Sequence, residues 1–124
     1  MFSYKETFMI RRKILVVDDD PAVRNLIQRF LTKLNYQVEA AADGETARAV
    51  FQSFHPDLVI LDVSLPDVNI HDLCKEMQNQ RTVFVLMLTT HLAEGRGADS
   101  YLTKPFGLGQ LEARVAEVLN GEDG

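Results

Sequence analysis

Polar side chains of complementary chemistry stand at the ends of four candidate strands, three of them apolar runs, in this chain of 124 residues. They are, in chain order, Asp18 and Asp19 after residues 14–17, Asp62 after residues 58–61, Thr89 after residues 83–88, and Lys104 after residues 100–103. Adjacent carboxylates stay ionised together only beside a compensating cation, and oxygen ligands without histidine or cysteine favour Mg²⁺. A carboxylate can also attack phosphorus, while ammonium and hydroxyl groups can bind phosphoryl oxygens. These residue types therefore indicate Mg²⁺-dependent phosphoryl chemistry if the fold brings them together.

The apolar segments themselves predict a parallel sheet. Residues 14–17, 58–61 and 83–88 are continuous apolar runs, which suit strands that are buried on both faces. Residues 36–40 alternate between polar and apolar side chains and predict a strand nearer an edge of the sheet. Residues 100–103 are a weaker candidate for the last strand.

Helical patterns lie between these strands. Apolar residues at helical spacing are found at Val23, Leu26, Ile27, Phe30, Leu31 and Leu34, and again at Ala47, Val50, Phe51 and Phe54. Asp20, followed by Pro21, and Asp43 are predicted helix N-caps. The strand–helix alternation predicts an α/β fold, a flavodoxin-like, doubly wound five-stranded parallel sheet of order 2-1-3-4-5. The carboxyl ends of its strands share one edge, where ligands bind.

Each polar residue also has a simpler interpretation when it is taken alone. An acidic run after a strand is commonly a helix cap and a solvated loop, and Asp62 could be a cap before Pro66. Thr89 could be an ordinary strand-end residue and Lys104 an ordinary surface lysine. The coincidence of all of them at four different strand ends favours a functional site.

Composition limits the class of protein. The length fits one domain, and we expect a short extension at residues 1–11, a domain at residues 12–120 and a tail at residues 121–124. The net charge of −5 argues against direct nucleic-acid binding by this domain. A single cysteine, Cys74, excludes an internal disulfide and suits a cytoplasmic protein, and no apolar run reaches the length of a membrane span.

Four motifs in order resemble the receiver domains of bacterial two-component response regulators. They are ILVVDDDP at residues 14–21, DLVILDVSLPD at residues 57–67, Leu88-Thr89, and GADSYLTKPF at residues 97–106. The resemblance covers roughly residues 12–120, which is nearly the whole chain. Any one motif is modest support, but the ordered set is highly specific.

The resemblance implies a role for each matching residue. Asp62 would be the phospho-accepting aspartate and also a metal ligand, and Lys104 would contact the phosphoryl group. Asp19 would bind Mg²⁺ directly, Asp18 would act through water, and the backbone carbonyl of Ser64 would complete the protein ligands. Thr89 and Tyr101 would form the hydroxyl and aromatic pair that rearranges on phosphorylation. The Lys104-Pro105 bond matches a family position that is typically cis.

The resemblance also implies a function. The domain would be a phosphoryl-accepting switch in a two-component phosphorelay, with a sensor histidine kinase or phosphotransfer protein as donor. It would act through an output domain or a target protein. It would catalyse at most its own phosphorylation and slow dephosphorylation, and would not be an enzyme that turns over a metabolite.

The chain departs from the family pattern at two places. Ile70 stands where the family usually has glycine, whose backbone reaches conformations closed to a β-branched residue, so the resemblance does not fix this loop. From Thr89 to Lys104 the chain advances 15 positions (104 − 89), about two helical turns fewer than is usual. This spacing predicts a shortened or missing fourth helix, with a loop or at most one helical turn at residues 91–96, unless a segment is missing from the chain. It also predicts uncovered apolar surface on the fourth and fifth strands, and a dimer through that face that is weak or replaced by a different contact.

Two other functions remain open from the residues. The first is a receiver-like module that binds proteins and is never phosphorylated, although such a module has no need to keep every polar residue of the site. The second is a Mg²⁺-dependent phosphohydrolase with an aspartate nucleophile, although enzymes of that kind generally need an additional substrate-binding insertion. A turnover assay on generic phosphate esters separates the second from a receiver.

Overall fold

A computed structural model of the protein describes residues 11–91 and 97–120. Strands and helices alternate along the described chain, apart from the connection between the last two strands. In order they are β1 (Lys13–Val17), α1 (Pro21–Lys33), β2 (Gln37–Ala41), α2 (Gly44–Phe54), β3 (Leu58–Asp62), α3 (Ile70–Gln80), β4 (Phe84–Thr89), β5 (Ser100–Thr103) and α4 (Leu108–Asn120). The strands pair in parallel in the order β2-β1-β3-β4-β5, which confirms the predicted topology.

The central strands are buried on both faces, as their continuous apolar sequences predict. On one face, residues such as Leu15, Val59 and Val85 pack with α2 and α3. On the other face, their chain neighbours, such as Ile60 and Leu86, pack with α1 and α4. The alternating strand β2 lies at the edge of the sheet, also as predicted.

The predicted caps are confirmed at the first two helices. Asp20 accepts a hydrogen bond from the Ala22 amide at 2.9 Å and is followed by Pro21 in the first helical position. Asp43 accepts one from the Thr46 amide at 2.8 Å. The first helix begins directly after Asp18 and Asp19, so its cap helps to fix where these two carboxylates lie.

Ile70, which replaces the family's usual glycine, is the first residue of α3. Its backbone is helical and its side chain is buried with the core between α3 and the sheet. Helical dihedral angles are open to a β-branched residue, and Asn69 caps the helix by accepting from the Asp72 amide at 3.0 Å. The isoleucine is therefore accommodated without an unusual backbone conformation.

The predicted shortening of the fourth crossover falls largely on residues 92–96, which lie outside the described part of the chain, as do residues 1–10 and 121–124. β4 ends at Thr89 and β5 begins at Ser100, so this connection is short in the structure, as in the sequence. The longest helices that the structure describes have 13 residues, which is too few for a membrane span.

The expectation of uncovered apolar surface is wrong for β4, whereas Tyr101 on β5 is only partly buried on that face of the sheet. Val85 and Met87 on β4 are fully buried. The reason is that residues 97–99 are held against the sheet and α3. The Asp99 amide donates to the Val85 carbonyl at 2.9 Å, and the Asp99 carboxylate accepts from the Val85 amide at 2.8 Å.

Gly97 secures the same segment to α3. Its carbonyl accepts from Gln78 Nε2 at 3.3 Å, and the thiol of Cys74 lies 3.7 Å from it. Its φ of +96° is a conformation that favours glycine. Cys74 is buried on α3, as expected for a lone cysteine, and burial, with a smaller effect of Asp99, raises its pKa to about 11.

Candidate phosphoryl-acceptor site

The carboxyl ends of four parallel strands bring the predicted polar residues together. Asp18 follows β1, Asp62 ends β3, Thr89 ends β4 and Lys104 follows β5. Asp18, Asp62 and Thr89 are 0%, 2% and 1% exposed, and they are the polar or charged residues that are fully buried within the described chain. Burial of such groups costs free energy unless they are paired, so their shared location indicates function rather than packing.

Three carboxylates form an acidic cluster that fits a metal ion. One carboxylate oxygen from each of Asp18, Asp19 and Asp62 lies within 4.8 Å of the others. Asp19 is exposed, so the cluster opens to solvent on that side. Oxygen donors of this kind suit Mg²⁺, which keeps part of its water shell while it binds one or two carboxylates.

Lys104 supplies the positive charge that faces these carboxylates. Its Nζ lies 3.1 Å from Asp18 Oδ2 and 3.5 Å from Asp62 Oδ2. Burial lowers the pKa of Lys104, but the hydrogen bond and charge of Asp18, with a further contribution from Asp62, raise it above its usual value overall. The ammonium group therefore stays charged at neutral pH and is placed to bind a phosphoryl oxygen beside Asp62.

The ionised form of Asp18 is electrostatically unfavourable at its buried position. Burial raises its pKa, and repulsion from Asp62 adds to this. The hydrogen bond from the Asp20 amide, at 2.9 Å, and the contact with Lys104 lower the pKa but do not cancel the rise. A bound cation would offset this cost, which is consistent with a metal site.

We predict that Asp18→Asn changes the pH dependence of stability in the presence of EDTA. Because the folded-state pKa of Asp18 is raised above 3.8, the native protein holds this proton at pH values where the unfolded chain has lost it. The free energy of unfolding of the wild type should therefore fall, relative to the variant, as pH rises above 3.8 and through the folded-state pKa.

Urea denaturation between pH 4 and pH 7.5 measures this difference. Asp72→Asn, which removes an exposed carboxylate on α3, is the control. A stability difference between the wild type and Asp18→Asn that does not vary with pH would contradict the raised folded-state pKa of Asp18.

Ser64 contacts the central aspartate directly. Asp62 Oδ1 accepts hydrogen bonds from the Ser64 amide at 3.1 Å and from the Ser64 hydroxyl at 2.9 Å. The resemblance gives Ser64 a role only through its backbone carbonyl, as a metal ligand. The hydrogen bond from its hydroxyl group to Asp62 was therefore not predicted from the sequence. A serine two positions after an aspartate is a signal for such a local turn.

The hydroxyl group of Thr89 is held by the next turn of chain. It donates to the His91 carbonyl at 2.7 Å and accepts from the His91 amide at 3.0 Å. Tyr101 is half-buried against the core on the same face of the sheet, where it pairs with Met87 while Thr89 pairs with Thr103. The structure thus places Thr89 and Tyr101 on neighbouring strands.

A cavity of about 220 Å³ lies over the central aspartate. The residues that line it are Asp62, Val63, Ser64, Thr89, Thr90 and Lys104. A second cavity, of about 440 Å³, adjoins it and shares Thr90 and Lys104. Lys104 and Pro105 both line the second cavity, and the bond between them is cis, which confirms the expectation from the resemblance.

Comparison with known proteins decides the family. The sequence profile of the family described as response regulator receiver domain matches residues 14–116, which is most of the chain. The chain belongs to the response-regulator receiver family. It is therefore a receiver domain of two-component systems, and its fold is the one that these domains share.

Individual relatives agree with the family assignment. The receiver domain is 39% identical over 116 residues to a probable transcriptional regulator, ycf27, of Cyanophora paradoxa, covering 88% of this chain and 48% of the relative. It is 39% identical over 118 residues to the alkaline phosphatase synthesis transcriptional regulatory protein PhoP of Bacillus subtilis (strain 168), covering 89% of this chain and 49% of that protein. The chain thus spans about half the length of these curated relatives.

A solved structure of similar size matches the whole fold. The chemotaxis protein CheY4 of Vibrio cholerae superposes with a TM-score of 0.82 at 33% identity, covering 88% of this chain and 99% of that one.

Proposed function

We propose that this receiver domain accepts a phosphoryl group on Asp62 from a phosphohistidine of a partner kinase or phosphotransfer protein. The observation that carries the proposal is the position of Asp62. Asp62 is 2% exposed and lines the 220 Å³ cavity, and its carboxylate faces Lys104 and forms the acidic cluster with Asp18 and Asp19. The site combines a nucleophile, a cation and a place for a metal.

The chemistry follows from these contacts. An oxygen of the Asp62 carboxylate attacks the phosphorus atom, an O–P bond forms, and the P–N bond to the donor imidazole breaks, leaving its electron pair on nitrogen. Lys104 holds a phosphoryl oxygen, with Nζ already 3.5 Å from Asp62 Oδ2. Asp19, Asp62 and the Ser64 carbonyl would hold Mg²⁺, with Asp18 acting through water, and the ion would supply positive charge that offsets the phosphoryl oxygens.

The second cavity suits contact with the donor protein. It is lined by Val23, Leu26, Thr90, Lys104, Pro105, Phe106 and Leu108. Among the large hydrophobic residues of the described chain, Leu26 is the exposed one, at 51%. A donor that delivers its phosphoryl group past Thr90 and Lys104 must cover this apolar surface, and covering it would stabilise the complex.

Phosphorylation would switch the conformation through Thr89 and Tyr101. The Thr89 hydroxyl hydrogen is donated to the His91 carbonyl, so it must leave that acceptor to reach a phosphoryl oxygen. The movement would free space on the face of the sheet that carries Tyr101. Two states of this kind need to differ by only a few kcal/mol.

We predict that beryllofluoride, a phosphate mimic, shifts the NMR signals of Tyr101 in the wild type. Thr89→Ala should still bind the mimic but should lose most of the Tyr101 response, because the group that moves is gone. A heteronuclear spectrum recorded with and without the mimic checks both. Unchanged Tyr101 signals in the wild type would argue against the switch.

The acceptor function itself is tested with acetyl phosphate and Mg²⁺, followed by intact mass measurement. We expect one added phosphoryl group, and no addition in EDTA. Absence of labelling in Mg²⁺ would favour the unphosphorylated binding module, and repeated turnover of generic phosphate esters would favour the phosphohydrolase.

The names of the relatives suggest an output. Both of the regulators described above are named as transcriptional regulators and are about twice the length of this chain. We infer that the receiver acts through an output domain or a target protein, in the cytoplasm where its phosphodonor would act. Phosphorylation-dependent retention of a cytoplasmic partner on the immobilised domain would support this, and equal retention with and without phosphate would oppose it.

A further inference from the structure

The loop that follows the acceptor aspartate is attached at both ends. Residues 63–69 connect Asp62 to α3 and include Ser64. At the start, the Val63 amide donates to the Leu88 carbonyl at 3.1 Å, and Ser64 bonds Asp62 Oδ1 as described. At the other end, Asn69 caps α3.

A third attachment lies between these ends and joins the loop to α2. Asp67 Oδ1 accepts from the Gly44 amide at 2.9 Å, and Asp67 Oδ2 accepts from the Glu45 amide at 3.1 Å. The next amide, that of Thr46, is bonded by the helix's own cap, Asp43. The first amides of α2 are therefore bonded by two carboxylates, and only one of these comes from the distant loop. Negative charge at a helix N-terminus is favourable.

Packing supports the same attachment. A Cβ atom on Gly44 would lie 2.3 Å and 2.6 Å from the methyl groups of Val68, a separation that real contacts do not allow. Glycine at this position therefore lets the loop approach the helix closely. We name the contact of Asp67 and Val68 with Gly44 and Glu45 the loop clasp.

The structure assigns Asp67 as a positioning residue for the metal and phosphoryl site, an inference that rests on the proposed function. Asp67 touches no reacting atom. It holds the loop to α2 and thereby orients the Ser64 backbone, whose carbonyl is the proposed metal ligand and whose amide bonds Asp62. Leu65 is buried, but Ser64 and Asp67 are exposed, so packing alone does not fix the direction of the peptide at Ser64.

The test compares Asp67→Ala with Asp43→Ala in the full chain. Both substitutions remove a carboxylate that caps the same helix end, so both should lower the melting temperature. Only Asp67→Ala releases the loop. We expect its Mg²⁺ dissociation constant to rise about 5-fold, less than the roughly 10–100-fold effect of groups that bond a metal ligand directly. Asp43→Ala should keep the wild-type constant within about 1.5-fold, since it leaves the loop clasp in place.

Amide NMR titration with Mg²⁺ gives these constants, and the Ser64 amide signal should move in free Asp67→Ala but not in free Asp43→Ala. Asp67→Asn keeps one acceptor oxygen and should give an intermediate constant. If Asp67→Ala does not fold, Asp67→Asn and Asp43→Asn are compared instead. If the wild type binds Mg²⁺ and is labelled by acetyl phosphate, but Asp67→Ala and Asp43→Ala bind Mg²⁺ equally well, the positioning role of Asp67 is overturned. If the wild type neither binds Mg²⁺ nor is labelled, the proposed function is overturned instead.

Discussion

Substitution of Asp62 by asparagine should abolish labelling by acetyl phosphate and Mg²⁺. The amide keeps the shape of the side chain but lacks the anionic oxygen that forms the bond to phosphorus. We expect the phosphorylated fraction to fall at least about 100-fold, to the background of the mass measurement, because position 62 then offers no anionic oxygen to the phosphorus atom. The comparison is made at equal protein, Mg²⁺ and phosphodonor concentrations.

The control for Asp62→Asn is Asp72→Asn, which removes the same charge from an exposed position on α3. It should be labelled like the wild type. Asp62→Asn is also expected to remain folded, since asparagine retains an acceptor for the Ser64 amide and hydroxyl. Labelling of Asp62→Asn at the wild-type level would refute the assignment of the acceptor.

Replacement of Lys104 by methionine should affect both stability and labelling. The variant leaves the buried carboxylates of Asp18 and Asp62 without the cation that now lies 3.1 Å and 3.5 Å away. Breaking a buried pair in this way is expected to lower the free energy of unfolding by about 3 kcal/mol in EDTA. Mg²⁺ should restore part of that loss. The labelling rate should fall about 100-fold, since one group that stabilises the transferred charge is gone.

Urea denaturation and a time course of labelling measure the two effects of Lys104→Met. Lys75→Met, on the exposed side of α3, is the matched control and should change neither. A Lys104→Met protein that is as stable as the wild type in EDTA would mean that the ammonium group does not compensate the acidic cluster.

Much of the fold and most of the site could be predicted from the sequence. The continuous apolar runs of β1, β3 and β4 have no alternation, and only burial on both faces explains that pattern. Once the sheet is parallel, its topology alone places Asp18, Asp62 and Lys104 at one edge, because side chains that follow successive strands share that edge. No side-chain distance was needed for this conclusion.

The contacts that depend on side-chain rotamers or on distant segments could not be predicted. The bonds from the Ser64 hydroxyl to Asp62 and from Thr89 to the His91 carbonyl are choices of rotamer within local turns. The loop clasp joins Asp67 to Gly44, which are 23 positions apart, through backbone amides that carry no sequence signal. The prediction of exposed apolar surface on β4 failed for a related reason, because the bonds between Asp99 and Val85 hold residues 97–99 against that strand.

Chemical localisation of the phosphoryl group tests the central claim most directly. An aspartyl phosphate is an acyl phosphate, which borohydride reduces to a homoserine residue. After labelling with acetyl phosphate and Mg²⁺, reduction and proteolysis, peptide sequencing by mass spectrometry should find homoserine at position 62 alone, and none after labelling in EDTA. Homoserine at another aspartate, or phosphate retained on a serine, threonine or histidine, would contradict Asp62 as the acceptor.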